Sequence, residues 1–290
     1  MATTSAGSAA RLQIARSLIA LRERAGLSQA ELAKEAGCSR QTVSRYETWQ
    51  ERSRLTVPMI RSLARACDAT EEETEALVDL VRAQDEGWWV DDPAIPEWMD
   101  PLVSFETAAN RVDVYANTMV PGLLQTPAYA LASYEASQAR AVQEEIDRRV
   151  ESRMRRQNIL HRPDLHLWAV ITESVLRCEV GGADVMIEQI KHLEGMAGRP
   201  NVTIQVLPYS AGASAAGSSG HFMVVARDDE RNPLNRMSVV YLELATRGLY
   251  LDDPDDLEAY KLTTAYLRSQ ARDASLSREI LAAVRQEYLR

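Results

Sequence analysis

Residues 28–47, Ser-Gln-Ala-Glu-Leu-Ala-Lys-Glu-Ala-Gly-Cys-Ser-Arg-Gln-Thr-Val-Ser-Arg-Tyr-Glu, leave the backbone few choices. Ser28 with Glu31 three positions on forms a capping box that opens a helix, whose inward positions are read as Ala30, Leu32, Ala33 and Ala36. Gly37 ends it, because glycine enters the left-handed turn without the steric cost of a Cβ, and the small Ala33 lets a following helix cross closely. Ser39 caps that second helix. Val43 and Tyr46, three apart, give it one apolar side, which leaves Arg40, Gln41, Thr42, Ser44 and Arg45 pointing outward. Two short helices joined by a glycine turn form a helix-turn-helix. The outward residue types suit base edges: arginine can take guanine O6 and N7, glutamine adenine N6 and N7, and the threonine methyl can meet thymine.

The flanks extend the pattern to a bundle of about five helices. Leu12, Ala15, Leu18 and Ile19 repeat at helical spacing before the motif, and Val57, Ile60, Leu63 and Ala64 after it, with Pro58 in a first turn. An acidic helix follows, capped by Thr70, with Glu71, Glu72 and Glu73 in its first turn and Leu77, Val78 and Val81 as its buried stripe. The total charge of −9 argues at first against a polyanionic partner, but its distribution reverses that. Residues 1–67 hold 11 Arg and Lys against 5 Asp and Glu, a net of +6, which leaves −15 on residues 68–290. A basic head supplies the counterion-release part of DNA affinity, and an acidic body discourages non-specific coating.

We divide the chain into an arm at residues 1–10, expected to be disordered, a helical DNA-binding domain at 11–86 and an α+β effector domain at 87–290. Trp88, Trp89 and Trp98 crowd a stretch broken by Pro93 and Pro96, read as a packed junction rather than a ligand-stacking site. Val103–Val114 passes from helix toward strand. Leu165–Thr172, Val202–Leu207, His221–Ala226 and Ser238–Leu244 have strand character, with an amphipathic helix at Val185–Met196 between the first two. Two helices close the domain, one with Leu257, Tyr260, Thr264 and Leu267 and one with Ile280, Leu281, Val284 and Tyr288. The fold expected is therefore an all-α helix-turn-helix bundle followed by a small mixed sheet with two closing helices. The helix at 141–160 carries Arg148, Arg149, Arg153, Arg155 and Arg156, read as a solvated face. Val120–Pro127 places Leu123 and Leu124 on a Pro/Gly-braced loop, a candidate partner surface whose alternative is core packing.

No run approaches the roughly 18 apolar residues of a membrane span. The first ten residues lack the charged start and apolar run of a signal peptide; the location expected is cytoplasmic, at the nucleoid. Cys38, Cys67 and Cys178 are odd in number and widely spaced, as reduced thiols would be. His161, His166, His192 and His221 form no metalloprotease-like pair, so neither a metal nor a cofactor is expected.

Residues 11–67 resemble the phage-repressor type of helix-turn-helix, the xenobiotic-response-element family of bacterial regulators. The resemblance implies that Gln29 touches a phosphate, that Arg40, Gln41 and Arg45 read bases, and that Ser39, Arg52 and Arg54 lie along the DNA backbone. It further implies a homodimer on a palindromic operator. From about residue 87 onward, Trp88-Trp89, Val120–Pro127, Arg153–Gln157, Glu173 with Leu176-Arg177 and Gly181-Gly182, Asn201–Pro208 and Val240–Glu243 are similar to a large actinobacterial regulator family with an uncharacterised C-terminal domain. This second resemblance implies an antitoxin-like regulator, often encoded beside a small partner protein, and supplies no ligand. The loop 210–220 is poorer in histidine than that family's pattern.

The first function these features support is a sequence-specific transcription factor whose C-terminal domain senses a partner protein or small molecule. Alternatives are an antitoxin-like protein that acts by binding a small neighbour, and a self-cleaving repressor with a Ser-Lys pair. For the last, Lys191 and Lys261 are the lysines outside the head, on amphipathic helices where the amines are expected to face solvent instead of being buried. No catalytic residue is assigned.

Overall fold

The computed structural model describes residues 7–50, 54–82, 88–89, 92–137, 142–230 and 235–290, which form two compact units. The first takes in the described residues up to Trp89, with Asp100–Ala108 and the described part of Arg227–Met237. The second takes in the remainder.

In the first unit, α1 (Ser8–Arg24), α2 (Gln29–Ala36), α3 (Arg40–Tyr46), α4 (Val57–Ala66) and α5 (Glu71–Arg82) surround one apolar cluster. Its fully enclosed members include Ile14, Leu18, Leu32, Val43, Ile60, Leu63 and Leu77, each contributing roughly 1.5–3 kcal/mol on burial. Because α1 starts at Ser8, residues Ser8, Ala9 and Ala10 of the expected arm are its first turn; residues 1–6 lie outside the described residues. The physical reason is a tertiary cap: the Ala9 N–H donates to Ser104 Oγ at 3.1 Å. Ser104 belongs to α6 (Asp100–Ala108), which joins this unit although the sequence reading places it in the effector part. Trp49, just beyond α3, packs edge-on against Phe105 of α6 with ring centroids 5.1 Å apart. The segment 227–237 is tied in as well, since buried Gln13 of α1 donates to the Asn235 carbonyl at 2.9 Å and to its Oδ1 at 3.2 Å.

The second unit is built on a six-stranded sheet of β1 (Arg111–Ala116), β2 (His166–Thr172), β3 (Val202–Leu207), β4 (Phe222–Arg227), β5 (Met237–Glu243) and β6 (Gly248–Leu251), in the order β3-β2-β1-β4-β5-β6. β1, β2 and β3 are parallel, whereas β4 is antiparallel to β1 and β6 to β5. The sheet is mixed, as expected; β1 lies where Val103–Val114 is read as passing from helix toward strand, and β6 has no counterpart among the four strand runs read from sequence. Parallel neighbours need long crossovers, and helices supply them. α7 (Pro127–Ser137) and α8 (Gln143–Arg156) lead from β1 to β2, and α9 (Glu173–Arg177) and α10 (Ala183–Met196) from β2 to β3.

The closing helices are α11 (Pro254–Gln270) and α12 (Ala274–Tyr288), each opened by an aspartate cap, Asp253 and Asp273. α11 brings Leu257, Tyr260 and Leu267 to a cluster containing Tyr115, Val170, Phe222 and Val240. Arg268 of α11 lies over the Trp168 ring at 3.9 Å and pairs with Asp113, the register partner of Trp168. The outer edge of β3 is covered instead of bare: the Val206 N–H donates to Ser277 Oγ and its carbonyl accepts from the Arg272 N–H, both at 2.9 Å. No helix among the described residues is long and apolar enough to cross a membrane.

Candidate nucleic-acid interface

The helix-turn-helix forms by local capping. Ser28 Oγ accepts from the Glu31 N–H at 3.3 Å and Glu31 returns a carboxylate to the Ser28 N–H at 2.8 Å, a complete capping box. Gly37 has φ +70°, and the Cys38 N–H closes onto the Ala33 carbonyl at 2.9 Å. Ser62 of α4 donates to the Ala36 carbonyl at 2.8 Å and so satisfies another group at the end of α2. Ser39 Oγ then accepts from the Thr42 N–H at 3.1 Å and opens α3. Val43 and Tyr46 turn inward, and the Tyr46 hydroxyl accepts from the Thr56 N–H at 2.9 Å, fixing the loop that leads to α4.

The opposite side of α3 presents Arg40, Gln41, Ser44 and Arg45, all exposed. Thr42 is half-buried, with its hydroxyl 2.9 Å from Ser39 Oγ, so it serves the cap as well as the outward face. Ser39 and Arg54 are exposed; Arg52 lies outside the described residues. Ala30, read from sequence as packing inward, is exposed: it follows the capping turn on the side away from Leu32, Ala33 and Ala36.

Gln29 is half-buried and its amide donates to Glu47 Oε2 at 2.8 Å. Glu47 is also gripped by Arg22 of α1, with Nε to Oε1 at 2.6 Å and Nη2 to Oε2 at 3.2 Å, and Arg22 Nη1 reaches the Leu27 carbonyl at 3.0 Å. The Glu47 bond holds the Arg22 guanidinium above its ordinary pKa. One carboxylate thus joins the end of α1, the start of α2 and the end of α3. Sequence reasoning passed over Arg22 and Glu47 because no periodicity links residues so far apart. A second tether joins Arg24 to Glu73, which also caps α5 through Thr70; the Arg24 bond holds Glu73 at about 2.

A family model described as a domain of unknown function (DUF5753) matches residues 99–283, more than half of the chain. The chain belongs to the DUF5753 family. A helix-turn-helix domain model matches residues 13–77, so this DUF5753 chain carries a helix-turn-helix domain ahead of its family domain. No curated protein matches the chain. No solved structure matches it either.

Within the DUF5753 region the expected partner surface is corrected. Leu123 and Leu124 are 1% and 0% exposed, in a short 3-10 turn at Gly122–Leu124. They are buried because the surrounding backbone is held from three sides. Gln125 Nε2 donates to the Val120 carbonyl at 2.7 Å, and Gln157 Nε2 to the Gly122 and Gln125 carbonyls at 2.9 and 2.8 Å. Gln189 accepts from the Thr126 N–H and donates to the Leu124 carbonyl, each at 2.7 Å. A cavity of about 650 Å³ lies beside this turn, between α8 and α10, with Met154, Met196, His192 and Arg199 in its wall. Lys191 and Lys261 are exposed, so solvated amines occupy the two positions a Ser-Lys mechanism would need buried. Cys67 is buried and its thiol is pushed up to about 11 by desolvation, which leaves it unreactive at neutral pH.

Proposed function

We propose that this chain is a sequence-specific DNA-binding transcriptional regulator of the xenobiotic-response-element type, acting in the cytoplasm at the nucleoid. The observation that carries the reading is the outward row Arg40, Gln41, Ser44 and Arg45 on a capped helix whose other side is anchored by Val43 and Tyr46. Such a helix can enter a major groove, and its side chains match base-edge donors and acceptors. Gln29, Ser39, Arg52 and Arg54 take the flanking phosphates in this reading. A single seven-residue recognition helix reads few bases, so two copies of the chain on a palindromic operator supply the affinity. The net charge of −15 on residues 68–290 keeps the remainder of the chain off DNA. The C-terminal domain acts as the sensor, shifting DNA affinity by its differential interaction with an effector or a small partner protein.

Selection of bound duplexes from a random library by the full-length chain tests the reading. Enrichment of one motif with two-fold symmetry is the expected result. Recovery of unrelated sequences at constant yield would overturn it.

A further inference from the structure

We propose that the second unit binds a small monocarboxylate with a flexible apolar chain in the groove between α8 and the C-terminal half of α10. As the effector class of the regulator proposed above, it rests on that reading; the binding test below does not involve DNA.

The groove is an open space of about 650 Å³, within the roughly 300–1,000 Å³ of small-molecule sites. α10 lines it with Glu188, Lys191, His192, Gly195 and Met196, the i, i+3, i+4, i+7 and i+8 positions of one helix face, and Arg199 follows. The other face of the helix belongs to the core, with Met186, Ile190 and Leu193 fully enclosed. Across the groove, the solvated face expected of the α8 arginines comes to an end: Arg156 is 7% exposed and Arg153 half-buried, both against Gly122. Met154 and, just past the helix, Gln157 line the space instead.

Gly195 keeps that space open. It is helical, so no left-handed turn requires glycine, and an added Cβ would meet nothing within 4 Å, so no close approach requires it either. Glycine weakens a helix relative to alanine. At this position it leaves bare, exposed backbone on the face that lines the cavity, where a larger side chain would take up the room.

The charges of the wall select the ligand. Lys191 and Arg199 are its cations and Glu188 its carboxylate, and among the described residues none of the three makes an ion pair. His192 adds no charge at neutral pH: burial, then the charge of Arg199, lowers its pKa, and its buried Nε2 makes no hydrogen bond among the described residues. The wall is therefore net positive by one on residues 68–290, whose total is −15. One carboxylate balances it through a charge-assisted hydrogen bond to Lys191 or Arg199. Met154 and Met196, on facing walls, offer unbranched, polarizable side chains that adapt to a flexible apolar chain. The walls are also set in advance. Gln189 of α10 holds the Thr126 N–H and the Leu124 carbonyl, and Gln157 holds the Gly122 and Gln125 carbonyls, so little is left to order on binding.

Calorimetric titration of the full-length chain with sodium decanoate below its micelle-forming concentration, against sodium acetate and decyltrimethylammonium chloride, tests this. Saturable decanoate binding is expected, at least about tenfold tighter than either control. Gly195→Leu should abolish it with the melting temperature unchanged or raised, since the new Cβ displaces nothing within 4 Å. Lys191→Ala combined with Arg199→Ala should weaken it at least about tenfold, and Lys261→Ala, which removes an exposed cation of α11, should not. In magnetic resonance spectra of protein carrying labelled methionine methyls, decanoate should shift Met154 and Met196 and leave Met223 and Met237 of the sheet in place; this arm needs no variant. No saturable binding, binding that survives Gly195→Leu, equal binding of acetate or of the cationic amphiphile, or shifts at the sheet methionines alone would overturn the proposal. A concentration-dependent dimer that Gly195→Leu abolishes would assign the groove to a second copy of the chain and likewise overturn it.

Discussion

Arg22 and Glu47, 25 positions apart, meet in a two-point ion pair whose carboxylate is 4% exposed and whose guanidinium is 15% exposed. Since Glu47 also receives the Gln29 amide, the pair sets the position of the first residue of α2 relative to the end of α3. Replacing Glu47 with alanine should cost about 2–4 kcal/mol, because it leaves the Arg22 charge enclosed without its partner. Urea denaturation measures this. The double variant Arg22→Met with Glu47→Leu should recover more than half of the loss; a single variant within about 0.5 kcal/mol of the parent would show that the pair has no structural weight.

Gly37 offers a separate test of the turn. Its φ of +70° is the left-handed region, yet nothing lies within 4 Å of an added Cβ, so only backbone strain opposes a side chain there. Gly37→Ala should therefore cost about 1–2 kcal/mol and Gly37→Asn less. Equal melting temperatures for glycine and alanine would contradict the turn geometry.

For the Gly122–Leu124 turn, either Leu123→Ser or Leu124→Ser should lower stability by about 3–5 kcal/mol, through lost burial and a hydroxyl placed among apolar neighbours. Thermal melts read it directly. A surface role would leave the melting temperature unchanged.

Burial, with the nearby charge of Arg156, pushes His221 down to about 4. The unfolded histidine titrates near 6.5, so the folded state resists protonation, and stability is full above about pH 6.5 and declines as pH falls toward 4, by up to about 3 kcal/mol. Glu73 acts in a lower window. Its folded pKa of about 2 contributes stability above the unfolded value of about 4.3, lost as pH falls through 2. Urea denaturation at pH 7.5, 6 and 5 should show the decline, and His221→Asn should flatten it. Parallel curves for parent and variant would remove His221 as its source.

The helix-turn-helix was legible because its determinants are local: Ser28 with Glu31, Gly37, Ser39, and Val43 with Tyr46 act over three or four residues. Ala30 misled because alanine suits either face of a helix, and only the direction of the capping turn decides which. β6 has four residues and takes its stability from pairing with β5, as in Tyr241 opposite Tyr250, a relation absent from the run Gly248-Leu-Tyr-Leu251 itself. The place of α6 is likewise tertiary, resting on Ser104 with Ala9 and Phe105 with Trp49. Arg153 and Arg156 were hidden by their own charge, since a run of arginines reads as solvated until the turn that covers them is known.

Base reading by α3 is decided by competition binding with full-length protein. The parent and the Arg40→Ala, Arg45→Ala and Gln29→Ala variants are each titrated onto the selected duplex and a scrambled duplex at one fixed salt concentration. Either arginine variant should lose about 1–3 kcal/mol on the selected duplex and little on the scrambled one, while Gln29→Ala should weaken both alike. Equal losses on both duplexes for Arg40→Ala and Arg45→Ala would contradict it.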